Sequence, residues 1–201
     1  MKKIVLASAS PRRKELLEQI GISFEVIASN VDENIQYQDN PDRYVEQLAL
    51  MKAQEVARRV NPGHLIIGSD TIVLLDNEIL GKPENDQDAF NTIKRLSGKS
   101  HFVFTGVAII EAAEGKTMVS HAKTKVKFRD VEDDEIMAYV KSGEPADKAG
   151  SYGIQGKGAV LVEGIDGCYF NVVGLPISCL CSMLKSFGVQ VLGGKDERGI
   201  G

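Results

Sequence analysis

Near the amino terminus the chain reads Lys3-Ile4-Val5-Leu6-Ala7-Ser8-Ala9-Ser10-Pro11-Arg12-Arg13. The apolar run before Ser8 is rich in β-branched residues, which predicts a short buried strand. Ser10 suits the N-cap of a following helix, and Pro11 suits its first position, where a missing N–H costs nothing. The apolar residues that follow recur on one helical face, and Gly21 ends the helix. The stretch therefore predicts a strand, a tight turn and a helix N-terminus in direct succession.

The first turn of this helix carries two arginines, Arg12 and Arg13. The N-terminus of a helix already favours an anion, because its N–H groups and its dipole present positive charge. Cations in the first turn oppose that dipole, and a bound phosphate chain would explain them, since guanidinium groups match phosphate oxygens. Solvated surface charge explains them equally well at this point.

Composition limits the possible classes of protein. The chain has 201 residues, 43% of them hydrophobic and 26% charged, with a net charge of −4. These values are typical of a globular protein and argue against general nucleic-acid binding. The sequence shows neither a membrane-spanning run nor the apolar region of a signal peptide. Its three cysteines fit no disulfide framework or zinc pattern, which favours reduced thiols. We therefore expect a cytoplasmic protein with no membrane or nucleic-acid partner.

Strand and helix patterns alternate along the chain, which predicts an α/β fold. We expect one domain over residues 1–190 and a disordered, glycine-rich tail over residues 191–201. The glycine-rich stretch from Gly143 to Gly167 is expected to form a loop. The expected strands lie near 4–7, 23–27, 65–68, 72–75, 78–80, 101–111 and 116–128, and the expected helices near 11–20, 41–60, 86–96, 133–141 and 175–187.

Two carboxylates are candidates for chemistry. Asp70 follows the apolar run at 65–68, so we expect it where a strand ends at the edge of the sheet, a frequent place for reactive groups in α/β proteins. There it could bind Mg²⁺ or Mn²⁺ or accept a proton from water. Glu33, in a polar loop, could supply a second oxygen ligand. A turn-stabilising Asp70 and a solvent-exposed Glu33 are the simpler alternatives.

Further polar residues stand in loops or on helices. Lys82 lies between Gly81 and Pro83 and could present its charge to a phosphate or a leaving group. Gln155 lies in the glycine-rich stretch, where its amide could contact the edge of a base. That stretch could equally be a plain loop held by a Glu144–Lys148 pair. Lys52 has the position of a solvated helix residue, and the histidines at 64, 101 and 121 have that of surface residues.

The order of these motifs is more specific than any one of them. The chain resembles the Maf family, the septum-formation-like nucleoside triphosphate pyrophosphatases, from Ile4 to about Phe187. The motifs that carry the resemblance are Ser8-Ala9-Ser10-Pro11-Arg12-Arg13, Gly68-Ser69-Asp70-Thr71, Gly81-Lys82-Pro83, Thr105-Gly106-Val107, Asp147-Lys148-Ala149-Gly150-Ser151-Tyr152-Gly153-Ile154-Gln155-Gly156 and Gly174-Leu175-Pro176.

The resemblance implies a mixed, twisted sheet flanked by helices, with two lobes around a central cleft, as in the inosine triphosphate pyrophosphatases. It also implies a homodimer and a divalent metal ion, Mg²⁺ or Mn²⁺, for hydrolysis of a nucleoside triphosphate to the monophosphate and pyrophosphate. In this implied site Asp70 is the proton acceptor, Asp70 and Glu33 are the metal-side carboxylates, and the phosphate-side residues are Ser8, Arg12, Arg13, Lys52 and Lys82.

The same resemblance links Arg12, Thr71 and Gln155 to the choice of nucleotide. The Asp70-Thr71 pair together with Gln155 is similar to the branch that acts on dTTP and UTP. A sister branch that acts on 7-methyl-GTP is one alternative. A nucleotide-binding regulator of septum formation without catalytic activity is the other.

Overall fold

The computed structural model describes residues 2–32, 35, 37, 40–112 and 114–193. Within these residues, seven strands form one mixed sheet in the order β2-β1-β3-β5-β6-β7, with β4 paired to β3. Strand β1 runs parallel to β2 and β3, and the remaining pairs are antiparallel. The strands are β1 (Ile4–Leu6), β2 (Phe24–Val26), β3 (Leu65–Leu75), β4 (Glu78–Leu80), β5 (Ser100–Glu111), β6 (Thr117–Phe128) and β7 (Val162–Asp166).

Helices cover both faces of this sheet, which confirms the α/β class. Their apolar stripes explain why β1 and the first half of β3 are continuously apolar, since strands buried on both faces need no alternation. Val5 and Ile66 pack with residues of α2, whereas their neighbours Leu6 and Ile67 pack with residues of α1 and α6. The helices are α1 (Pro11–Gln19), α2 (Pro41–Ala57), α3 (Asp86–Leu96), α4 (Asp133–Val140), α5 (Tyr169–Val173) and α6 (Ile177–Ser186).

Strand β3 differs from the sequence-based prediction. The expected break at Ser69-Asp70-Thr71 is wrong, because β3 continues through these residues for 11 positions. Its pairing with β5 runs from Leu65 opposite Glu111 to Leu74 opposite Phe102, so the ladder holds the polar triplet extended. Asp70 consequently lies opposite Gly106 in the middle of the sheet, and its expected position at the edge of the sheet is also wrong.

Helix α2 crosses β3 and β5 at two glycines. A Cβ added at Gly68 would overlap the carbonyl oxygen of Ala49, and one added at Gly106 would overlap that of Val45. Both positions therefore require glycine for the backbones to approach so closely. This close packing buries Lys52, on the same helix, above the centre of β3.

The hairpin between β3 and β4 and the positions of α1, α3 and α4 follow the predictions closely. Asp76 and Asn77 both have positive φ, 50° and 67°, as a two-residue hairpin turn requires. The glycine-rich stretch is more ordered than expected, since it contains 3₁₀ helices at 144–147, 149–151 and 156–161 before strand β7. Helix α5 was not predicted.

His101 also differs from its prediction as a surface residue, because its side chain is buried under Tyr152 and Phe128. None of the helices formed by the described residues is long and apolar enough to cross a membrane. Most of the predicted disordered tail, residues 194–201, lies outside the described residues.

Candidate active site

A cleft of about 620 Å³ opens beside the middle of β3. One wall is the β1–α1 turn, and another is the segment from Asp147 to Gln155. The cleft brings together eight of the nine candidate residues; Glu33 lies outside the described residues. The eight are Ser8, Arg12, Arg13, Lys52, Asp70, Thr71, Lys82 and Gln155.

Asp70 and Lys52 form an ion pair at the bottom of the cleft. The ammonium Nζ of Lys52 donates to Oδ1 of Asp70 at 2.6 Å, and each side chain is only 11% exposed. The prediction of Lys52 as a solvated helix residue is therefore wrong. The ion pair holds the carboxylate in one orientation. Removing either partner would be costly, because the other charge would stay buried without this partner.

Arg13 joins three distant parts of the chain. Its guanidinium donates from Nη1 to the hydroxyl of Ser8 at 3.0 Å, from Nη2 to that of Thr71 at 3.1 Å, and from Nε to the carbonyl of Gly174 at 2.9 Å. Thr71 in turn shares a hydrogen bond with the hydroxyl of Thr105, 3.0 Å away. These bonds hold the β1–α1 turn against β3 and place a positive charge in the wall of the cleft.

Helix α1 begins at this wall. Ser10 has the extended backbone of an N-cap residue, but its hydroxyl caps no described N–H group of the helix. Instead the Ser8 hydroxyl accepts a hydrogen bond from the Ser10 N–H at 3.3 Å. The helix N-terminus thus adds positive dipole charge to the wall that carries Arg12 and Arg13.

Arg12 connects the two walls of the cleft. Its guanidinium donates to Oδ2 of Asp147 at 3.2 Å, and Asp147 also accepts from Lys148 at 2.7 Å. Burial tends to raise the pKa of Asp147, but the hydrogen bonds and charges of Lys148 and Arg12 outweigh it and lower that pKa. The alternative of a loop held by a Glu144–Lys148 side-chain pair is not what forms, because Lys148 donates to the backbone carbonyl of Glu144 and to the Asp147 carboxylate.

Lys82 and Gln155 lie on loops that touch each other. The N–H of Gly150 donates to the carbonyl of Gly81 at 2.9 Å, which ties the Lys82 loop to the wall that contains Gln155. Lys82 is exposed at the rim, whereas Gln155 is half-buried. The cleft therefore combines several cations with a neutral amide.

The buried His101–Tyr152 contact behind this wall of the cleft was not predicted from the sequence. Tyr152 lines the cleft, and its hydroxyl lies 2.7 Å from Nε2 of the buried His101. A signal was present, because the period of two along β5 puts His101 on the same face as Val103 and Thr105, both buried. The Arg12–Asp147 pair had no such local signal.

The fold and the cleft define an α/β protein whose cleft brings several cationic side chains together with a buried carboxylate. Residues 3–187 match the model of a family described as Maf-like protein, and the chain belongs to this family.

Relatives that are aligned over nearly their whole length are named dTTP/UTP pyrophosphatase. One from Bacillus cereus is 52% identical over 191 residues, which are 95% of this chain and 98% of that protein. One from Acetivibrio thermocellus is 50% identical over 198 residues, with 96% and 98% covered. One from Ruminiclostridium cellulolyticum is 49% identical over 193 residues, with 96% and 100% covered.

Among solved structures, a nucleoside-triphosphatase / dITP/XTP pyrophosphatase from Mycobacterium abscessus is similar to this chain. The two are 17% identical with a TM-score of 0.47, and the match covers 92% of this chain and 97% of that one.

Proposed function

We propose that this protein hydrolyses dTTP and UTP to the nucleoside monophosphate and pyrophosphate. The observation that carries the proposal is one cleft that contains a buried carboxylate, Asp70, paired with Lys52, and the further cations Arg12, Arg13 and Lys82. A triphosphate is a polyanion that such a site would attract, and guanidinium groups bind its oxygens in pairs. The relatives named dTTP/UTP pyrophosphatase supply the identity of the nucleotides.

In the proposed reaction water attacks the α-phosphorus, and the bond from that phosphorus to the oxygen bridging the β-phosphate breaks. Asp70 orients the water and accepts its proton, and pyrophosphate leaves toward Lys82. Lys52 has a double role, since it orients Asp70 before substrate binds and offers its charge to phosphate oxygens afterwards. Catalysis is then mainly positioning and charge stabilisation, as is general for phosphoryl transfer.

A divalent cation, Mg²⁺ or Mn²⁺, fits this site if the nucleotide brings part of its coordination shell. Within the described ranges no cluster of three or more His, Cys, Asp or Glu side chains could hold a metal ion by itself. Magnesium usually binds through one or two carboxylates together with substrate phosphates. Asp70 would hold the ion with Glu33 as a second ligand, and the ion would neutralise charge on the phosphates.

Base choice is assigned to the wall that contains Gln155. The amide of Gln155 offers one donor and one acceptor, and the edge of uracil or thymine offers an acceptor at O4 beside a donor at N3. Cytosine reverses that pattern at the same two positions, so a Gln155 amide held in one orientation would reject it. Arg12 and Thr71 contribute indirectly, through Asp147 and Arg13 respectively.

The test is pyrophosphate release from dTTP, UTP, CTP, GTP and 7-methyl-GTP, each with Mg²⁺, with Mn²⁺ and with a chelator. We expect metal-dependent cleavage of dTTP and UTP only. Preference for 7-methyl-GTP would retain the chemistry and refute the proposed base choice. Nucleotide binding without cleavage of any member of the panel would make the protein a binding module and refute the enzymatic proposal.

We further propose that the protein is a cytoplasmic homodimer, as the family resemblance implies. The end strand β7 and its surroundings expose apolar side chains at Val160, Ile165 and Tyr169, which a second copy could cover. Light scattering coupled to size exclusion tests the dimer, and a monomer at micromolar concentration would refute it.

A further inference from the structure

The carboxylate of Glu144 connects the two ends of the cleft wall that contains Gln155. We define the recognition segment as residues 145–156, which follow Glu144 directly. The carboxylate of Glu144 accepts hydrogen bonds from the N–H groups of Lys157, at 2.9 Å to Oε2, and Gly158, at 3.1 Å to Oε1. The residue that precedes the recognition segment thus binds the two residues that follow it.

A tyrosine extends this contact to the middle of the segment. The hydroxyl of Tyr139, from α4, donates to Oε1 of Glu144 at 2.9 Å and accepts from the N–H of Gly153 at 3.2 Å. Tyr139 is buried, so its ring holds a fixed position in the core beside Ile136. Gly153 is two residues from Gln155, and both line the cleft. The chain Glu144–Tyr139–Gly153 therefore reaches the wall at which base choice is proposed.

We propose that Glu144 is a positioning residue for base discrimination. Through its bonds to Tyr139 and to the N–H groups of Lys157 and Gly158, it fixes the backbone of the recognition segment and thereby the position of the Gln155 amide. The inference rests on the proposed function, because it requires Gln155 to contact the base. It adds a residue that does not itself line the cleft.

The charge state of Glu144 suits this role. Partial burial tends to raise its pKa, but the N–H groups of Gly158 and Lys157 and the Tyr139 hydroxyl outweigh burial and lower the pKa. The residue is thus an acceptor at both oxygens near neutral pH. Three donors converge on it, and a glutamine at this position could offer only one acceptor oxygen to them.

Part of the phosphate side of the cleft is held independently of this segment. Arg13 donates to Ser8, Thr71 and Gly174, and Lys52 donates to Asp70; none of these bonds involves Glu144 or the recognition segment. Arg12, by contrast, pairs with Asp147, and the Gly81 carbonyl beside Lys82 accepts from Gly150, both inside the segment. Loosening the segment at Glu144 should consequently change recognition of the base more than recognition of the phosphates. This difference distinguishes positioning from a general structural role.

The experiment compares Glu144→Gln and Tyr139→Phe with wild type and with the control Glu18→Gln. Glu18 is an exposed carboxylate on α1 that pairs with Lys14 and does not line the cleft. For each protein we measure kcat and KM for UTP and CTP and the inhibition constant of inorganic tripolyphosphate, which has no base. Circular dichroism verifies folding of each variant.

We expect Glu144→Gln and Tyr139→Phe each to lower the ratio of kcat/KM for UTP to kcat/KM for CTP by about ten-fold. This is the effect of losing one hydrogen bond to a charged group. The inhibition constant of tripolyphosphate should stay within about two-fold of wild type, as should all constants of the control. If one variant does not fold, the other carries the test, since each removes a different member of the chain.

An unchanged ratio in a folded variant overturns the role of Glu144 and leaves the proposed function standing. Parallel loss of UTP, CTP and tripolyphosphate binding also overturns it, because that pattern indicates general damage to the cleft. A wild-type protein without activity on any triphosphate, or without preference for UTP over CTP, overturns the proposed function and this inference with it.

Discussion

His101 should make the stability of this protein depend on pH in a range where few other groups titrate. Its ring is 1% exposed and packs edge-on against Phe128 and Tyr152, with ring centroids 5.1 and 5.3 Å away. Burial lowers the pKa of His101 from 6.5 to about 4, because the imidazolium would lose its hydration. The folded protein therefore keeps this side chain neutral under conditions in which the unfolded chain protonates it.

The sign of the effect follows from proton binding. Between the two pKa values the unfolded state binds more protons, so the free energy of unfolding rises with pH in this window. The contribution is complete above about pH 6.5 and is lost as the pH falls toward about 4. From pH 7 to pH 5 the loss amounts to about 2 kcal/mol, worked from a shift of 6.5 to about 4.

Urea unfolding at pH 7, 6 and 5 tests this prediction. The variant is His101→Gln, whose amide can still bond the Tyr152 hydroxyl but does not titrate, and the control is the partly exposed His64→Gln. Wild type and the control should lose about 2 kcal/mol more than His101→Gln between pH 7 and pH 5. The contribution of carboxylates is common to all three proteins and cancels in the comparison. Equal losses in all three would refute the assignment of a buried neutral histidine.

Three further predictions concern the cleft and the packing beneath it. Asp70→Asn should keep the fold and lower kcat for dTTP by at least about 100-fold, since it removes a general base; single-turnover rates near wild type would assign Asp70 a structural role. Arg12→Ala should raise KM several-fold while the melting temperature barely moves, because its pair with Asp147 is exposed and worth about 1 kcal/mol or less; an unchanged KM would refute its phosphate role. Gly68→Ala should lower the free energy of unfolding by about 1–3 kcal/mol through overlap with α2, whereas Gly164→Ala, with open space around it, should change little; equal unfolding midpoints would contradict the packing.

Much of the fold could be predicted because its signals are local. The strand, turn and helix at the amino terminus, the Asp76-Asn77 hairpin and helix α3 each follow from residues within a few positions of one another. Most candidate residues were also found in sequence, first from their local context and then, with their roles, from the resemblance to a family. Each motif alone left a plainer alternative open.

The errors arose where sequence-distant pairing overrode local preference. The polar triplet at 69–71 suggested a turn, but the ladder to β5 satisfies its backbone groups and keeps it extended. His101 looked like a surface residue because its burial depends on Tyr152, which comes 51 positions later. A Glu144–Lys148 pair was the plainer alternative for the glycine-rich stretch, yet the Lys148 side chain pairs with Asp147.

The sequence by itself determined most of the elements, the α/β class and the identity of most residues in the cleft, since these depend on local periodicity and on motifs. Only the tertiary structure decided which charges meet. Lys52 reaches Asp70 because two glycines let α2 approach the sheet, and Arg12 reaches Asp147 across 135 positions of sequence. The physical reason is that burial and ion pairing depend on strand register and helix packing, which form between segments whose local sequences contain no information about each other.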